Sequence, residues 1–110
     1  MDFTQSKEGA FLVLAVAGRM DTITAPQFEA QCLACLEAGD KRLVVDLGGL
    51  EYISSAGLRS ILSAAKKLKA AGGDIAFCAL SGIVAEVFAV SGFNKLMPVF
   101  ATRQEALARA

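Results

Sequence analysis

Histidine is missing altogether from this chain of 110 residues. Its absence removes the usual base of Ser-His-Asp and Cys-His arrangements, so no ordinary group is at hand to activate a serine or cysteine nucleophile. A Ser-Lys pairing is conceivable, but no spacing supports one, and enzymatic activity is not expected. A surplus of charge is missing too: eleven basic and eleven acidic side chains cancel. Generic nucleic-acid affinity rests on accumulated Lys and Arg, so no nucleic-acid partner is expected. No apolar run approaches the roughly 18 residues that span a bilayer, and the longest, residues 10–17, suits a strand. The start Met1-Asp2-Phe3-Thr4 lacks the basic residues and apolar stretch of a signal peptide. Direct membrane insertion is therefore not expected, and a cytoplasmic location is the default. No phosphate-cradling G-x-x-x-x-G-K-[ST] loop, internal repeat, linker or low-complexity segment is present.

Cysteine is scarce and odd in number: Cys32, Cys35 and Cys78 make no disulfide framework. Cys32 and Cys35 form a C-x-x-C, but inside an expected helix rather than at its start, where a thiol pKa would fall. A zinc site would need further ligands. These thiols are expected to be buried and reduced, with no metal and no cofactor.

What is present is a hydrophobic fraction of 55% in the length of one ordinary domain. Residues 2–7 and 11–17 read as two strands joined at Glu8-Gly9. Residues 18–24 read as a loop, after which Thr24 can cap a helix with Pro26 in its first turn. That helix is expected to bury Phe28, Cys32, Cys35 and Leu36 and to stop at Gly39. A strand over 43–47, a glycine-containing turn and a helix ending at Gly72-Gly73 follow. Then come a strand over 74–80, a short helix capped by Ser81 and closed by Ser91-Gly92, a strand over 97–100, and a helix over 103–109 behind the capping-box spacing of Thr102 and Glu105. The fold class is α/β. An N-terminal β-hairpin leads into βα units and a mixed, mostly parallel sheet of four to five strands with about four helices.

The most informative segment is Asp46-Leu-Gly-Gly-Leu-Glu-Tyr-Ile-Ser-Ser-Ala-Gly-Leu58. Two adjacent hydroxyls, Ser54 and Ser55, open a helix whose apolar positions Leu58, Ile61, Leu62, Ala65 and Leu68 share one face. A serine there can cap the helix. Added negative charge is also best tolerated there, because free amides and the helix dipole favour an anion. Ser54 and Ser55 are thus either simple caps or sites of reversible phosphorylation. Arg59, Lys66, Lys67 and Lys69 lie on the polar side of this helix and read as a solvated face, with a docking surface for an acidic partner as the other reading.

Residues 43–58, Leu-Val-Val-Asp-Leu-Gly-Gly-Leu-Glu-Tyr-Ile-Ser-Ser-Ala-Gly-Leu, resemble the signature of the STAS domain family, which includes bacterial anti-sigma factor antagonists and the cytoplasmic tails of sulphate transporters. Gly18-Arg-Met-Asp-Thr-Ile-Thr-Ala25, Gly72-Gly-Asp-Ile-Ala-Phe-Cys78 and Val87-Phe-Ala-Val-Ser-Gly-Phe93 are similar to its other segments, in the family's order, so that residues 1–110 read as one STAS domain. The resemblance implies partner switching. The unmodified protein would hold an anti-sigma factor serine kinase, phosphorylation would release it, and a serine phosphatase would restore the binding form. The serine two places before the motif glycine, Ser55, is the implied phosphorylation site, with Ser54 as second choice. Many members carry aspartate where this chain has Ser54. The implied partner-binding residues are Asp21, Thr22, Thr24, Tyr52, Ser54, Ala56, Gly57, Leu58 and Arg59. The other reading is a STAS subunit of a membrane transporter, or a module accommodating a lipid or nucleotide.

Overall fold

Alternation of side chains along the first strands decides the architecture. In the computed structural model, which describes residues 1–109, β1 (Asp2–Glu8) and β2 (Phe11–Met20) pair antiparallel. They are joined at Gly9, whose φ of +63° suits a residue without Cβ. Along β2, Leu12, Leu14 and Val16 enter one core while Phe11 and Val13 enter another on the opposite face. The sheet is therefore covered on both sides.

The chain continues as α1 (Ala25–Glu37), β3 (Arg42–Ile53), α2 (Ser55–Ala70), β4 (Asp74–Cys78), α3 (Gly82–Val90), α4 (Phe93–Leu96), β5 (Val99–Phe100) and α5 (Arg103–Ala108). The five strands lie in the order β1-β2-β3-β4-β5, and every pairing after the first hairpin is parallel. The larger core joins α1, α2, α3 and α4 to one face through Phe28, Ile61, Leu68, Phe88 and Phe93. The smaller joins Ala106 of α5 to Phe11, Val13, Val44 and Cys78. Among the described residues no helix is long and apolar enough to cross a membrane.

Several boundaries differ from the sequence reading. The expected loop over 18–24 begins only after Met20, and the expected glycine turn after Leu47 is strand as far as Ile53. The two extensions hold each other: Gly18 pairs with Leu50, Arg19 with Tyr52 and Met20 with Ile53, with a register shift between Gly18 and Arg19. Gly49 permits this close pairing, because a Cβ there would lie 2.9 Å from that of Ala17. Strand β4 stops at Cys78 because Ala79 takes a φ of +63°, and β5 is only Val99–Phe100. The short α4 was not anticipated, so five helices stand among the described residues where about four were expected. Leu36 is half-buried rather than buried, whereas Phe28, Cys32 and Cys35 are buried as expected.

Caps differ as well. Thr24 and Ser81 occupy N-cap positions without a side-chain capping bond. Thr102 accepts from the Glu105 amide at 3.1 Å, as its spacing anticipates. Asp46 lies inside β3. Its Oδ1 accepts from the Gly48 amide at 2.8 Å and its Oδ2 from Arg103 Nε at 2.9 Å, fastening α5 to the sheet.

Candidate functional site

Parallel pairing brings the C-terminal ends of β2, β3 and β4 to one edge of the sheet, the edge where α/β proteins place their working groups. Ser54 follows β3 there, and its amide donates to the Met20 carbonyl at 2.9 Å, tying it to the end of β2. Its backbone is still extended, with φ −93° and ψ 175°, which makes it the N-cap of α2. The Ser54 hydroxyl accepts from the Gly57 amide at 3.2 Å, and its carbonyl accepts from the Leu58 amide at 3.0 Å. This satisfies one of the amides that a helix start leaves unpaired.

Ser55 is the first residue of α2 and is exposed. The two neighbouring hydroxyls therefore have different situations: Ser54 is half-buried and engaged in the cap, and Ser55 faces solvent. No acidic residue occupies the first turn of the helix. Gly57 is buried, and a Cβ on it would lie 2.7 Å from Ile53 Cγ1 and 3.1 Å from the Met20 carbonyl oxygen. Its absence of side chain lets the helix start seat directly on the ends of β2 and β3.

Beside this helix start runs the loop over 21–24. Asp21 Oδ1 accepts from the amides of Ile23 and Thr24, each at 3.0 Å, while the Asp21 amide donates to Thr24 Oγ1 at 2.9 Å. Thr24 Oγ1 in turn donates to the Arg19 carbonyl at 2.7 Å. The amide of Thr24 is the leading cause that holds the Asp21 carboxyl below its usual range; it outweighs the opposing desolvation, with help from the Thr24 hydroxyl, the Ile23 amide and the Arg19 charge. Thr24 thus braces the loop instead of capping α1. Arg19 stacks on Tyr52, its guanidinium carbon 4.3 Å from the ring centroid.

The structure gathers Asp21, Thr22, Thr24, Tyr52, Ser54, Ser55, Ala56, Gly57, Leu58 and Arg59 at this one edge or just beyond it on α2. Thr22, Ser55 and Arg59 are exposed, Asp21, Thr24, Tyr52, Ala56 and Leu58 are half-buried, and Gly57 is covered. Thr22, Ala56 and Arg59 line a groove between α1 and α2 with Pro26, Glu29 and Ser63. The sequence reading did not include three exposed apolar residues. Ile23 stands 81% exposed on the Asp21 loop, while Ile83 and Val90 of α3, 50% and 90% exposed, line a groove with Leu58. Their signal was only that of ordinary apolar residues, which in a sequence count toward the core.

Other candidate groups lie away from this edge or are shielded. Lys67 pairs with Glu29, which also accepts from Ser63 at 2.7 Å, so that part of the basic face bridges α1 and α2. All three cysteines are free and buried. Burial raises each thiol pKa, Cys78 to about 11.

The family model described as "STAS domain" matches residues 4–106. The chain is 41% identical over 108 residues to BtrV of Bordetella bronchiseptica, provisionally named an anti-sigma factor antagonist, covering 98% of this chain and 93% of that protein. The crystal structure of an anti-sigma factor antagonist from Mycobacterium paratuberculosis superposes with a TM-score of 0.86 at 25% identity, covering 96% of this chain and 90% of that one. The Bacillus cell fate determinant SpoIIAA, solved in its phosphorylated form, shares the fold with a TM-score of 0.71 at 22% identity, covering 96% of each chain.

Proposed function

The chain belongs to the STAS domain family, and from that premise we propose that it is an anti-sigma factor antagonist working by partner switching. In this reading it binds an anti-sigma factor that is also a serine kinase. Phosphorylation of Ser55 releases the complex, and a serine phosphatase restores the binding form. The protein is a non-catalytic regulator of the cytoplasm whose output is the freedom of another protein. The name of the 41% identical relative supports the antagonist role.

The observation that carries the choice of Ser55 is the division between the two hydroxyls. Ser54 is occupied in the cap, and Ser55 is exposed at the first position of α2. A phosphate adds roughly −1.5 to −2 charges. At a helix N-terminus with no acidic neighbour in its first turn, that charge is compatible with the fold. Its cost falls on the interface formed by Asp21, Thr22, Ile23, Tyr52, Ala56, Leu58 and Arg59. Exposed Ile23 gives that surface an apolar element, against which an anion in a desolvated contact is unfavourable. A hundredfold loss of affinity needs only about 2.7 kcal/mol.

The test is incubation of the purified protein with its cognate anti-sigma kinase and ATP, read by intact mass. One phosphate is expected on the wild type and on Ser54→Ala, and none on Ser55→Ala. Ser55→Asp is expected to weaken kinase binding by roughly a hundredfold. No phosphate incorporation, together with wild-type affinity in Ser55→Asp, overturns the reading.

A further inference from the structure

At the other end of α2, far from the serines, the C-terminal half of the helix, the start of β4 and the turn between α4 and β5 enclose a cleft of about 290 Å³. Leu62 and Ala65 of α2, Ile75 of β4, and Met97 with Pro98 form its apolar walls. Leu96 stands at its mouth, 62% exposed, and extends the apolar wall outward. The volume lies just below the roughly 300–1,000 Å³ of drug-sized small-molecule sites, the scale of a smaller ligand. A volume of about 290 Å³ is less than one turn of a helix roughly 10 Å across with a pitch of about 5.4 Å, and suits a single polymethylene chain.

The rim is charged. Lys66 and Lys69, three residues apart on one face of α2, are both exposed and border the cleft. Asp74, the one acidic residue of the lining, is already held by Arg109 at 2.8 Å and by Arg42 at 3.7 Å. Lys67, between the two rim lysines in sequence, turns to Glu29 on α1. The cleft thus combines an apolar floor with an entrance of net positive charge.

We propose that this cleft is a ligand site for a small free carboxylate amphiphile, a medium-chain fatty acid. Its acyl chain lies along Leu62, Ala65, Ile75 and Met97, and its carboxylate meets the ammonium groups of Lys66 and Lys69. At 1.5 Å per residue the lysines sit roughly 16–21 Å along α2 from Ser55. The site is therefore separate from the proposed switch and does not depend on it.

The experiment is titration of the isotope-labelled full chain with decanoate below its micelle-forming concentration, followed by amide NMR. Decanol and decyltrimethylammonium serve as probes of chain and charge. Saturable shifts are expected at the amides of residues 62–69, 74–75 and 96–97. Decyltrimethylammonium is expected to bind about tenfold more weakly than decanoate, and Lys66→Ala/Lys69→Ala to weaken decanoate by about tenfold, the worth of two exposed ion pairs. Ala65→Phe fills the cleft and is expected to abolish binding; should it fail to fold, the exposed lysine pair decides. Ser55→Asp is expected to bind decanoate like the wild type, whatever its effect on the kinase. Absence of saturable shifts, shifts centred on the Leu58, Ile83 and Val90 groove, or an affinity blind to the sign of the head group overturns the proposal.

Discussion

Ser54 and Ser55 differ by one position and by almost everything physical. Removing the Ser54 hydroxyl leaves the Gly57 amide without its partner, so Ser54→Ala is expected to lower unfolding free energy by about 1 kcal/mol. Ser55→Ala, an exposed change, is expected to stay within about 0.5 kcal/mol; urea denaturation of the two variants makes the comparison. Gly57→Ala places a methyl 2.7 Å from Ile53 Cγ1 and 3.1 Å from a backbone oxygen that cannot swing away. The helix start must lift, and a loss of about 1–3 kcal/mol is expected in the same assay. Asp21 carries a pH dependence. Its folded pKa lies below 3.8, led by the bond from the Thr24 amide. The stability it lends is thus present above the unfolded value and disappears as pH falls through the folded one. Carboxyl NMR is expected to show Asp21 titrating below ordinary aspartates, with the Ile23 and Thr24 amides shifting in step; an ordinary midpoint would contradict the loop geometry.

The elements were legible where one physical signal dominated and blurred where two competed. Helix α2 announced itself through its period, yet its buried stripe is Gly57, Ser60, Ile61, Ala64 and Leu68, while Leu58, Leu62 and Ala65 are half-buried. The inner face is rotated toward small residues because α1 packs close, and the Ser60 hydroxyl donates to the Ala25 carbonyl at 2.7 Å. A hydrophobicity pattern weighs large side chains and misses a contact made by small ones. Strand β3 was read too short for a similar reason. Gly48-Gly49 looks like a turn, but tertiary pairing with the end of β2 keeps the backbone extended. Helix α5 was legible from its capping box, but its anchor was not, since Asp46 and Arg103 are 57 positions apart. Arg103→Ala is expected to cost about 1 kcal/mol, because it strips a half-buried carboxylate of its ion pair, and to raise amide exchange across Arg103–Ala108.

Seen whole, the two-sided sheet decides which side chains are lost to solvent. The hydroxyl pair was legible because a polar motif between a strand and a helix is conspicuous, whereas Asp21 was implied only by the resemblance to the STAS family. Ile23, Ile83, Val90 and Leu96 became visible as surface only once the fold had used most of its apolar residues internally. Phe88 links the α3 layer to the sheet and to α4, with ring centroids 6.0 Å from Phe77 and 5.5 Å from Phe93 in edge contacts. Phe88→Ala is expected to cost about 3–5 kcal/mol, a large share of the stability of so small a protein, measurable as a fall in the urea midpoint. The three interior cysteines, with thiol pKa values raised by burial, are expected to resist a thiol reagent until the chain unfolds, so that modification tracks global opening. The margins of the sheet are unequal: β1 leaves seven mostly exposed residues along one side, and β5 only two along the other. Strand accretion would therefore have a natural terminus. A second copy zipped antiparallel onto β1 would consume the one long row of free strand-edge groups among the described residues, and the doubled sheet, bounded at both ends by stubs, could not lengthen into a fibre.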